Sequence, residues 1–133
     1  MSDVAALLNA ITGKIIGAAI EVHRVLGPGL LESAYEACLC YQLVTRGLHV
    51  ERQKPLPLTY EGVTLDCACR MDLVVEHSVV VEVKSAAKLD RVHEAQVLSY
   101  LKIADLRVGL VLNFNVTNLG TQGIMRKVNK FPE

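Results

Sequence analysis

The chain has no Trp, two Phe and four Tyr among 133 residues. Scarce aromatics weigh against a surface that stacks unpaired bases and favour contacts to a backbone. Charge of one sign is also lacking: fourteen Lys and Arg cancel fourteen Asp and Glu, with a pI near 6.9. That excludes an overall basic field drawing the chain to nucleic acid, so any such binding is local. The C-x-x-C spacing of zinc and redox motifs is missing, since Cys38, Cys40, Cys67 and Cys69 form two C-x-C pairs. Buried, reduced thiols are expected; the competing zinc-protein reading requires near-stoichiometric zinc. Long hydrophobic runs are absent too. The stretch Ile15 to Ile20 is short and flanked by Lys14 and Glu21, so neither a signal peptide nor a membrane partner is expected. A cytoplasmic, disulfide-free chain follows.

What is present is apolar mass. With 51% apolar residues and mean hydropathy +0.32, residues 1–133 read as one domain with a core that needs no staples. The excess of apolar residues suggests a homo-oligomer, an expectation that a monomeric mass by light scattering would remove.

Period and punctuation place the elements. Val4 to Leu26 is helical, with Leu8, Ile11, Ile15, Ala19 and Val22 on one stripe, and it stops at Gly27-Pro28-Gly29. A second helix runs from about Leu30 to Arg46, closed by Gly47. Val50 to Tyr60 reads as an edge strand because of Pro55 and Pro57. After a turn at Glu61-Gly62, Val63 to Ala68 continues toward Asp72. Asp90 caps a helix ending near Ala104, and Arg107 to Asn113 is the final strand. No repeat or linker interrupts this order.

The segment from Cys69 to Lys84 carries the chemistry. It sets Asp72, Glu82 and Lys84 into an otherwise apolar hairpin, and an interior carboxylate needs a partner or a metal. Alternation puts Glu82 and Lys84 on one face, Val81 and Val83 on the other. A three-residue loop, Glu76 to Ser78, sets Asp72 opposite Glu82; a two-residue loop would put them on opposite faces. A Glu-x-Lys triplet alone is common, and a solvated edge strand would also contain one. Two further constellations lie on helices. Gly29, Glu32 and Tyr35 open the second helix, with Glu32 and Tyr35 one turn apart. His93, Gln96 and Tyr100 form a polar stripe on the Asp90 helix, where His93 reads as a cap or surface residue before it reads as a phosphate contact. The basic residues Lys84, Lys88, Arg91, Lys102 and Arg107 are expected around this region.

Gly29, Glu32 and Tyr35 spell the motif that names the GxxExxY proteins. The segments Lys14 to His23, His93 to Gln96 and Arg107 to Phe114 resemble that family as well, so the likeness spans nearly the whole chain. The family is similar to the PD-(D/E)XK nuclease superfamily, matched here by Asp72, Glu82-Val83-Lys84 and Gln96-x-x-x-Tyr100. Met71 stands where the superfamily's proline would be, and Arg70 fits an R-x-D form. The resemblance implies an α/β (α+β), restriction-endonuclease-like core: a mixed central sheet flanked by helices, with an extra N-terminal helix. It implies a metal-dependent nuclease hydrolysing DNA phosphodiester bonds. Asp72, Glu82 and the Val83 carbonyl would hold Mg²⁺ or Mn²⁺, with Glu32 completing the shell. Lys84 would orient water or offset phosphate charge, Gln96 and Tyr100 would position the reactants, and Tyr35 would pack the Glu32 helix with its hydroxyl on site residues. Fold does not fix activity, so a catalytically silent module binding nucleic acid or a protein partner is the alternative.

Overall fold

Ser2 opens the first helix: its side-chain oxygen accepts from Ala5 N at 3.1 Å, satisfying one of the free amides of the first turn. The computed structural model describes residues 2–132, without the side chains of residues 67 and 68. Helix α1 spans Asp3–Leu26 and buries the expected stripe. By length and composition α1 is apolar enough to cross a membrane, a feature that Lys14 and Glu21 within it concealed; its stripe packs against the sheet. The helix stops at Gly27, whose φ of 65° lies in the left-handed region that glycine enters without strain. Helix α2 is Glu32–Thr45. It begins later than the sequence suggests because Leu31 is extended and Leu30 N donates to the Tyr35 hydroxyl instead of to a helical turn.

Five strands then form one mixed sheet in the order β1-β2-β3-β4-β5. Strands β1 (Val50–Tyr60) and β2 (Val63–Val75) make a long antiparallel hairpin that breaks register at Pro57, tolerated on an edge strand. Strand β3 (Val79–Lys84) returns antiparallel to β2 after the loop Glu76–Ser78, so the three-residue alternative holds. Helix α3 (Arg91–Ala104) crosses back over the sheet, and β4 (Val108–Asn113) pairs parallel to β3. Gly109 allows that close crossing, since a Cβ there would lie 2.7 Å from Val97 Cγ2. The expectation that β4 ends the sheet is corrected. A short α4 (Leu119–Gln122) leads into β5 (Ile124–Val128), antiparallel to β4, and its five residues, three half-buried and two exposed, carry too little apolar alternation to announce a strand.

The sheet has two packed faces. Val81 and Val83 join Leu73, Val75, Leu110 and Leu112 under α1 and α2, while Val74 and Val80 meet Leu101 of α3. Two smaller expectations also change. Cys38 is exposed and Cys40 and Cys69 are only half-buried, so the thiols described are free but not interior; the Cys67 side chain lies outside the described residues. Lys102 and Arg107 do not join the basic cluster. Because α3 runs back along the sheet, they sit near the end where β3 starts, away from Lys84.

Candidate active site

Asp72 and Glu82 meet where the β2–β3 ladder stops. The last backbone pair is Leu73 with Val81. One step further, side chains replace the ladder: Asp72 N donates to Glu82 Oε2 at 2.9 Å, and Val83 N donates to Asp72 Oδ2 at 2.8 Å. Each carboxylate thus satisfies an amide that the interrupted pairing would strand, and both face a notch between two strands. Glu82 is 2% exposed. Lys84 follows it on the same face, half-buried at the strand end.

Electrostatics mark this pair as a strained concentration of negative charge. Burial, then the nearby Asp72 carboxylate, pushes Glu82 up to about 8, against the weaker pull of the Asp72 amide and Lys84. Asp72 is also raised, first by burial and further by Glu36, with the Val83 amide, Lys84 and Gln53 opposing. A carboxyl that resists ionisation among other carboxyls is suited to accepting a cation in place of its proton.

Glu36 and Gln53 complete the site, and the sequence reading named neither. Glu36 is buried one turn beyond Glu32 on α2; its Oε2 accepts from Arg52 Nε at 2.6 Å and its Oε1 from Gln53 Nε2 at 2.8 Å. The same Gln53 nitrogen donates to Asp72 Oδ1 at 3.3 Å, so one amide group joins two carboxylates. Gln53 has φ 53° inside a strand, a left-handed conformation that costs a non-glycine residue about 1–2 kcal/mol. Arg70 Nη1 donates to the Gln53 carbonyl at 3.2 Å and holds that turn of the backbone. The signal available for Glu36 was its spacing, four residues after Glu32 on one helix face. Nothing in the Val50 to Tyr60 sequence announces a left-handed Gln.

The remaining expected residues divide. On α3, Gln96 Nε2 donates to the Tyr100 hydroxyl at 3.2 Å. Burial and the Glu82 carboxylate raise Tyr100, so its phenol keeps its proton and remains a donor. Glu32 is exposed and reaches elsewhere: its Oε2 accepts from Ser85 N at 3.3 Å. It ties the start of α2 to the turn after Lys84, where Ser85 Oγ also donates to Leu30 O at 2.7 Å. Asn113 holds the same turn through the Ala86 amide and carbonyl. Tyr35 is fully buried and stacks on Phe114 at 4.6 Å. Its hydroxyl donates to Gly27 O at 2.6 Å and accepts from Leu30 N at 3.0 Å, so it clamps the α1–α2 loop and does not reach the carboxylates. His93 takes the plain role: its Nδ1 accepts from Asp90 N at 3.0 Å in a capping box.

Two carboxylates on adjoining strands, a lysine two residues after the second, a helix acid and a Gln/Tyr pair on the opposite helix are therefore brought to one notch in a mixed sheet. Neither the curated proteins nor the solved structures yield a significant match. A family model described as the PD-(D/E)XK nuclease superfamily matches residues 9–127, from within α1 to within β5, and the chain belongs to that superfamily.

Proposed function

We propose that the protein is a metal-dependent nuclease that hydrolyses phosphodiester bonds of DNA at the Asp72–Glu82 notch. The observation that carries this is the convergence of Asp72, Glu82 and Glu36, with Lys84 acting on both strand carboxylates: burial and mutual repulsion raise Asp72 and Glu82, while Arg52 pairs with Glu36. The donor set is all oxygen, which fits Mg²⁺ or Mn²⁺. Asp72 and Glu82 would hold the ion, joined by the Val83 carbonyl; burial and its action on both strand carboxylates favour Glu36 over exposed Glu32 as the acid of α2 that would complete the shell. When bound, the ion supplies Lewis acidity toward a phosphodiester oxygen and toward water.

The chain's own residues do the rest. Lys84 offsets charge developing on the phosphate and orients the attacking water. Tyr100, kept protonated, donates to a phosphate oxygen or that water, and Gln96 fixes its hydroxyl. Gln53 is a positioning residue: it holds Glu36 and Asp72 apart at a set spacing, so the ion meets an arranged pair of carboxylates. Exposed Lys88 and Arg91, between β3 and the first turn of α3, are available to the nucleic-acid backbone.

The test is cleavage of linear and circular, single- and double-stranded DNA, with an RNA arm, by wild type and Glu82→Gln in Mn²⁺, Mg²⁺ or chelator. Metal-dependent cutting by wild type alone supports the nuclease, and the substrate pattern shows whether an end is needed. Binding without cutting by wild type under every condition would replace it with the silent binding module.

A further inference from the structure

We infer that the chain carries a second cation site, outside the acidic notch, made by His49, Glu51 and His77 and suited to a borderline transition ion such as Zn²⁺. The local fold builds it. His49 lies just before β1 and His77 in the β2–β3 loop; His49 N donates to Glu76 Oε2 at 2.7 Å, and Glu76 N donates to His49 O at 2.8 Å. That reciprocal pair fastens the loop to the start of β1. Glu76 and His77 both sit at positive φ, 53° and 54°, and Ser78 Oγ fixes the turn by donating to Glu76 O at 2.7 Å. The two imidazoles consequently stack with centroids 4.3 Å apart.

Donor geometry is close to what an ion requires. Glu51 Oε1 lies 3.3 Å from His77 Nδ1 and 3.9 Å from His49 Nε2, and all three donor atoms fall within 4.8 Å of one another. Four-coordinate zinc with bonds of about 2.0–2.1 Å spaces its ligands about 3.3–3.5 Å apart. The Glu51–His77 pair already meets that spacing, and the widest separation closes by at most roughly 1.3–1.5 Å through rotation of exposed rings. Two imidazoles with one carboxylate select Zn²⁺, Co²⁺ or Ni²⁺ over the hard ions that suit the all-oxygen notch. Lys54 Nζ, 3.0 Å from Glu51 Oε1, is a cation on the same oxygen, and its flexible stem can swing away. An ion held here would clamp the start of β1 to the loop joining β2 and β3, the strands that carry Asp72 and Glu82.

The experiment is a Co²⁺ and Zn²⁺ titration of the whole protein in millimolar Mg²⁺, which loads the acidic notch. The expected result is one Co²⁺ per chain with the visible absorption of a low-coordinate, histidine-bound ion, and a Zn²⁺-dependent rise in Tm. His77→Ala and His49→Ala, both at exposed positions, should each weaken uptake at least about 10–100-fold, the range that loss of even an outer-shell partner costs. Lys54→Ala should tighten it several-fold, and Glu82→Gln should leave it unchanged. No uptake by wild type, uptake indifferent to both histidine variants, or uptake lost in Glu82→Gln would each overturn the site. None of these results depends on nuclease activity, so the two readings fail separately.

Discussion

Asp72 and Glu82 each accept the amide that the other strand presents, Asp72 N to Glu82 Oε2 and Val83 N to Asp72 Oδ2, at the point where the β2–β3 ladder ends. The exchange fixes both carboxylates at the end of the ladder, and the Gln53 amide adds a contact to Asp72 Oδ1 at 3.3 Å. It also means that the notch is part of the sheet's own hydrogen bonding, so its geometry is as firm as the strands on either side. What the exchange leaves unresolved is charge, and the behaviour of the protein with pH should report it.

Glu82 is raised from 4.5 to about 8 by burial and by Asp72. The sign follows from proton binding: the folded state holds this proton between about 4.5 and 8, while the unfolded state has released it. The stabilising contribution is therefore complete below about 4.5 and lost as pH rises through about 8, a loss of a few kcal/mol in metal-free protein. Asp72 shifts in the same direction and adds to the slope. Urea unfolding in chelator from pH 5 to 9 should show stability falling with pH, and Glu82→Gln should flatten the curve. Mn²⁺ must displace the proton, so its apparent affinity should rise with pH up to about 8. Stability that rises over this interval in the metal-free wild type would contradict the charge arrangement.

Gln53 separates backbone from side chain. Its φ of 53° is a conformation that glycine adopts freely, so Gln53→Gly relieves strain while removing the amide that joins Glu36 to Asp72. The strain relieved roughly offsets the added freedom of the unfolded chain, so folding free energy should fall by no more than about 1–3 kcal/mol, the cost of leaving buried Glu36 Oε1 without its donor. Nuclease kcat/KM should nevertheless fall at least about tenfold, as for loss of a group that orients metal ligands. Equal activity in the two proteins would make Gln53 a turn residue only.

The two acids of α2 can be told apart in the same assay. Glu36 is buried and acts electrostatically on both Asp72 and Glu82, whereas exposed Glu32 meets only the Ser85 amide among the partners identified. Glu36→Gln should lower kcat/KM and Mn²⁺ affinity by about tenfold or more, while Glu32→Gln should change either by only a few-fold. The reverse ranking would return the metal shell to Glu32.

Much of this architecture was legible because it rests on short-range rules. The stripe of α1, the limits of β1, the cap at Asp90 and the register that opposes Asp72 to Glu82 each follow from periodicity, a turn length or a capping residue. The failures share a cause as well. Gln53 reaches the site only because its backbone turns left-handed under an Arg70 contact 17 residues away, and no local propensity encodes that. Strand β5 exists because β4 offers it an edge, a tertiary fact its own five residues do not express. Between Glu32 and Glu36 the motif points to the first and burial to the second, and burial depends on how α2 lies against the sheet, which the sequence does not express.

That motif is itself open to test, since the structure gives Glu32 and Tyr35 an architectural use. The Tyr35 hydroxyl bonds Gly27 O and Leu30 N, and Glu32 with Ser85 ties the same segment to the end of β3. Tyr35→Phe keeps the ring stacked on Phe114 and removes only the hydroxyl, leaving a partly buried amide and carbonyl without their partner. Such a loss costs about 1–3 kcal/mol, and at roughly 3–5 °C per kcal/mol for a chain of this size it should lower Tm by several degrees. If the motif is a clamp, Mn²⁺ affinity and the pH profile of cleavage should be unchanged in the variant below its melting range. A variant with wild-type Tm and a shifted pH profile would instead place the Tyr35 hydroxyl in the chemistry, where the geometry does not put it.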